Sequence, residues 1–65
     1  MPGYSLNEKE SQLIIELHQK SPAAVNILKG QGWRFSSGSW IRMATPEGKR
    51  ALTITQRMLD RLMEN

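Results

Sequence analysis

Arg34, Trp40 and Arg42 are the residues of this 65-residue chain whose types and spacing point to a definite chemistry. They lie in the segment Gly32-Trp33-Arg34-Phe35-Ser36-Ser37-Gly38-Ser39-Trp40-Ile41-Arg42-Met43. Successive side chains of a strand alternate between its two faces. If Trp33, Phe35, Ile41 and Met43 turn to a core, then Arg34, Trp40 and Arg42 share the other face. A large aromatic ring between guanidinium groups on an open sheet is a stacking platform for a base. Lys49 and Arg50 converge on it if a third strand pairs with the hairpin. Lys20 and Lys29 bracket a preceding helix, whose N-terminal amides can also meet a phosphate.

The charge pattern supports this placement. The formal net charge is +3. Residues 1–19 hold one lysine against three glutamates, a net −2. Residues 20–57 hold seven cations against Glu47 alone, a net +6, and the remainder carries −1. A basic middle between acidic ends attracts polyanions whatever the fold. Nucleic acid, DNA or RNA, is the expected partner, and an acidic protein is the alternative.

Catalytic apparatus is sparse. The chain has no cysteine and one histidine, His18, so a thiol nucleophile is excluded and a zinc site is not expected. His18 has no Asp or Ser at a spacing that suggests a triad. Ser36, Ser37 and Ser39 cluster in a turn, where serine is common. Gly30-Gln31-Gly32 leads from a helix into a strand, the reverse of the order that cradles phosphate. The expected protein is a non-enzyme without cofactor or metal. It has no apolar run of membrane-spanning length. Its opening Met1-Pro2-Gly3-Tyr4 lacks the pattern of a signal peptide, and a cytoplasmic protein is expected.

The elements that must position these residues can be read from patterning. Residues 1–4 read as a flexible lead-in to one domain spanning 1–65. Ser5 and Glu8 form the S-x-x-E of a capping box, predicting a first helix with Leu6, Leu13 and Leu17 on one stripe. Ile15 lies opposite Leu13 on that helix, so its apolar arc is wide. That arc could pack between two neighbours or serve a homodimer. Ser21-Pro22 predicts the N-cap and first residue of a second helix, ending near Lys29 with Gly30 beyond it. Residues 33–36 and 39–44 read as strands joined through Ser37-Gly38. Thr45-Pro46-Glu47-Gly48 reads as a type I turn, and residues 49–53 as a short third strand. Thr53 and Gln56 suggest a second capping box, opening a last helix over about residues 54–64.

The expected fold is therefore α+β in the order α-α-β-β-β-α, with a three-stranded antiparallel meander packed on helices. The first helix, the Ser21-Pro22 break and the second helix also have the order of a helix-turn-helix, but Asn26, Lys29 and Gln31 offer little for base readout.

Ile27-Leu28, Gly32-Trp33, Gly38-Ser39 and residues 46–53 resemble the core of the HicA-type messenger-RNA interferase toxins. Those have a fold similar to double-stranded-RNA-binding domains. The resemblance implies a small, RNA-facing sheet-and-helix fold. The family's catalytic histidine follows the Gly-Ser pair, where this chain has Trp40, so no catalytic role carries over. The expected function is a small basic module that binds nucleic acid through an Arg/Trp sheet face in a regulatory or accessory role. The alternative is a protein-interaction module, such as an inhibitor, adaptor or self-assembling subunit, using that patch or the arc of the first helix.

Overall fold

Leu13, Ile15 and Leu17 fall at every second position, a spacing that a helix scatters and a strand gathers on one face. A computed structural model describes residues 3–63. In it β1 (Tyr4–Lys9) and β2 (Gln12–Leu17) pair as an antiparallel hairpin, in place of the expected first helix. Lys9 faces Gln12, leaving Glu10-Ser11 as a two-residue turn with φ of 51° and 64°. Two positive φ values are the type I′ pattern, which matches the twist of the flanking strands and is usually written with Asn and Gly. Ser5 caps no helix; its hydroxyl is hydrogen-bonded to Nε2 of His18 across the hairpin.

The expected second helix is α1 (Pro22–Gly30). Ser21 is extended, and its Oγ accepts from the Ala24 amide at 3.2 Å. Pro22 occupies the first turn, where its missing N–H costs nothing. Gly30 remains within the helix. The left-handed residue that turns the chain is Gly32, with φ of 85°.

Strands β3 (Arg34–Ser36) and β4 (Ser39–Met43) form the expected hairpin around Ser37-Gly38. No third strand follows it. Thr45 starts α2 (Pro46–Met63), accepting the Gly48 amide on Oγ1 at 3.0 Å and the Lys49 amide on its carbonyl at 2.8 Å. The expected turn is thus the first turn of a helix, since a type I turn and a helical turn share their first backbone angles. Thr53 lies inside α2 and caps nothing; its hydroxyl donates back to the Lys49 carbonyl at 3.3 Å. Gly48 is buried where α2 meets the end of β4, and a Cβ there would collide with the Met43 carbonyl.

The fold is α+β, and the described residues form two helices and a four-stranded antiparallel sheet in the order β1-β2-β4-β3. Directly opposed residues point to the same side of a sheet. Leu13 and Ile15 are fully buried beneath the helices, so Tyr4, Leu6, Phe35, Trp40 and Arg42 share their side. Asn7, Ile14, Ile41 and Arg34 form a row on the opposite face. The core joins Leu13, Ile15 and Trp40 to Ala24 and Leu28 of α1, Leu59 of α2, and Trp33 between α1 and β3.

Two polar links, one buried and one part-buried, tie α2 to the rest of the fold. The Trp33 indole N–H donates to Thr55 Oγ1 at 3.0 Å, and that hydroxyl donates to the Ala51 carbonyl at 2.6 Å. At the other margin the Tyr4 hydroxyl donates to Asp60 Oδ1 at 2.7 Å. Tyr4 therefore belongs to a strand and the core, not to a loose lead-in. Met1 and Pro2 of that expected segment lie outside the described residues, as does Glu64 of the expected last helix. Among the described residues no helix is long and apolar enough to cross a membrane.

Candidate nucleic-acid interface

The two-residue Ser37-Gly38 turn decides which aromatic side chains share a face. It places Phe35 opposite Trp40 and Arg34 opposite Ile41. The expected platform is therefore divided. Trp40 lies over the core, opposite Ile15, and only 6% of it is exposed. Arg34 is on the other side of the sheet. Phe35 and Met43, expected inside, are 62% and 56% exposed. Strand alternation fixes relative orientation within one strand, whereas the turn fixes it between two.

Two concave surfaces result, one on each side of edge strand β3. The first is an open cleft of about 600 Å³ between the end of β2, the start of α1 and the β3–β4 turn. Phe35 and Trp40 line it together, with ring centroids 5.2 Å apart and planes at 60°. That edge-to-face arrangement brings the positive edge of one ring to the negative face of the other. Leu17, Pro22 and Val25 supply further apolar surface. His18, Lys20 and Asn26 supply polar groups, and all three are exposed. Among the described residues no carboxylate lines the cleft. The first turn of α1 carries no acidic residue either, so the positive end of its dipole is not neutralised locally.

The second surface is a groove of about 460 Å³, lined by Arg34, Arg42, Gly32, Ser36, Ile41 and Met43 among others. Arg42 leaves β4 on the core side and lies against the backbone at Gly32, donating from Nη1 to the Gly32 carbonyl at 3.3 Å. A Cβ at residue 32 would run into this guanidinium, so glycine serves both the left-handed turn and the arginine's path. The Arg42 Nε is buried and has no hydrogen-bond partner among the described residues. Arg42 itself is half-buried, and one Nη1 bond is the hydrogen bond its guanidinium makes among the described residues.

The structure brings Arg34 and Arg42 together at the groove, and Lys20 and Trp40 together at the cleft. It leaves the other expected cations elsewhere. Lys29 is exposed in the last turn of α1, while Lys49 and Arg50 are exposed in the first turns of α2 instead of on a third strand. Phe35, His18 and Asn26 were not among the expected site residues. Phe35 could have been found from the register that a two-residue turn imposes, since positions 35 and 40 must then face each other.

Aromatic surface is offered on one side of β3 and guanidinium donors on the other. No protein-family model, no curated protein and no solved structure matches this chain, the messenger-RNA interferase family included.

Proposed function

We propose that this protein is a non-catalytic module that binds single-stranded nucleic acid along the edge strand β3. Its role on this reading is regulatory or accessory. The observation that carries the reading is the pairing of Arg34 and Phe35, consecutive residues on opposite sides of that strand, each lining a concave surface. Phosphates engage Arg34 and Arg42, with Lys20 at the cleft, and unpaired bases reach Phe35. A duplex keeps its bases stacked inside and cannot present them to a cleft of this kind. The absence of cysteine supports a reducing, cytoplasmic setting.

Mobility shifts with single- and double-stranded DNA and RNA at two salt concentrations test the reading. Single strands are expected to bind more tightly than duplexes, and all binding should weaken as salt rises. Failure to bind any of the four at low salt removes the proposal.

One observation favours a second reading. Ile54, Met58 and Leu62 are 48%, 41% and 42% exposed at i, i+4 and i+8 along α2, so they form one outward ridge. Arg50 heads this ridge, and Arg57 and Arg61 border it, all exposed. The chemistry fits an acidic, amphipathic segment of a partner protein. This replaces the dimer surface expected on a first helix, since those residues form the β1–β2 hairpin.

A further inference from the structure

We infer that the cleft between α1 and the β3–β4 turn is a pocket for one unpaired nucleotide, which takes the base against Phe35 and the phosphate at Lys20. The inference rests on the nucleic-acid reading and says what enters this particular site. Four observations select that ligand class.

The first is size. A cleft of about 600 Å³ falls within the range of small-ligand pockets and is far larger than a bound ion requires. The second is shape and surface. Phe35 is the most exposed large apolar side chain among the described residues, yet it is backed edge to face by buried Trp40. A ring held in this way loses little freedom when a second ring stacks on it, so the stacking free energy is not spent on ordering. An aliphatic ligand would gain burial here but would leave the polar groups without partners.

The third observation is charge. Lys20 lies in the cleft, no carboxylate among the described residues does, and the acid-free start of α1 adds the positive end of a helix dipole beside Ser21 and Pro22. A phosphate is favoured there, and a cationic ligand is not. The fourth is polar readout. The Asn26 amide, and Nδ1 of His18 whose Nε2 is bonded to Ser5, offer groups that can donate or accept, as the edge of a base requires. Together they describe a planar ring joined to an anion at short range, which is a nucleoside monophosphate unit. An acidic peptide shares the anion but lacks the ring.

Trp40 lines the cleft, so its fluorescence can report occupancy. The chain's other tryptophan, Trp33, is buried behind Thr55, and a Trp33→Phe background isolates the signal. The experiment titrates the full chain with AMP, UMP, adenosine, inorganic phosphate and a short glutamate-rich peptide. A fluorescein-labelled single-stranded oligonucleotide then serves as competitor. Saturable changes are expected with a mononucleotide, in about the millimolar range. Adenosine or phosphate alone should bind at least about tenfold more weakly, because each keeps only one of the two contacts. Phe35→Ala and Lys20→Ala should each weaken mononucleotide binding by about tenfold. Arg34→Ala should weaken the oligonucleotide and leave the mononucleotide unchanged. Both Phe35 and Lys20 are exposed, so loss of binding is separable from loss of fold by circular dichroism.

Oligonucleotide binding without any mononucleotide response overturns the pocket and leaves the nucleic-acid reading standing. A mononucleotide response without oligonucleotide binding does the opposite. A response to the glutamate peptide that matches or exceeds that to the mononucleotide also overturns the pocket.

Discussion

Phe35 and Trp40 meet edge to face at 5.2 Å across the β3–β4 hairpin, one ring largely exposed and the other buried. The two rings divide a task that the sequence pattern assigns to Trp40 alone. Trp40 belongs to the core and supports the site from beneath, and Phe35 presents the free surface. Trp40→Ala should therefore act first on stability, costing about 3–5 kcal/mol as a large buried aromatic. Phe35→Ala should shift the urea midpoint little and weaken single-strand binding by about tenfold. Parallel urea and anisotropy titrations of the two variants check this division.

Salt dependence follows from the number of cations at β3. If Arg34, Arg42 and Lys20 each neutralise one phosphate, log K against log salt should fall with a slope of about −2 for a single strand. Arg34→Ala should reduce the magnitude of that slope by about 0.7. Lys49→Ala, on α2, should leave it unchanged. A slope equally sensitive to both substitutions would place the phosphates elsewhere.

Thr55 accepts the buried indole N–H of Trp33 while donating to Ala51. Thr55→Val keeps the shape of the side chain but leaves that donor without a partner. The expected loss is about 1–3 kcal/mol, read from chemical denaturation. Trp33→Phe in the same background should recover part of it, since the unsatisfied N–H is then gone.

The Glu10-Ser11 turn places two L residues at positive φ. Glu10→Asn with Ser11→Gly supplies the residues that this turn prefers. Each left-handed L residue costs about 1–2 kcal/mol, so the double variant should be more stable by roughly 1 kcal/mol, seen as a higher midpoint temperature.

Tyr4 is the chain's single tyrosine, and its hydroxyl pKa is pushed up to about 12, first by burial and then by its hydrogen bond to the Asp60 carboxylate and that group's charge. The folded state thus holds this proton more tightly than the unfolded chain, where the pKa is near 10. The stabilisation is complete below about pH 10 and is lost as pH rises through about 12. The tyrosinate absorbance of the folded protein should rise about two units later than that of the protein in denaturant. Asp60→Asn should bring the two curves closer.

These relationships show which parts of the fold the chain announces locally. Ser21-Pro22 is read correctly because an N-cap and a proline at the first helical position act within one turn of chain. The Ser37-Gly38 hairpin is read for a similar reason. Residues 5–17 are misread because Glu10-Ser11 lacks the Asn or Gly that marks a type I′ turn, and Leu6, Leu13 and Leu17 happen to satisfy a helical spacing. Pro46 is misread because a type I turn and a helix start alike. The basic middle of the chain is plain from composition. The face taken by Trp40 is not, because it depends on its pairing with Ile15 and Phe35, a relation between strands.

Amide and indole chemical-shift mapping decides whether single-stranded nucleic acid contacts the β3 edge. On adding a short single-stranded oligonucleotide, the largest shifts are expected at Lys20, Asn26, Arg34, Phe35 and the Trp40 indole, with α2 residues 54–62 little affected. Shifts concentrated on Ile54, Met58 and Leu62, or no shifts at low salt, would contradict it.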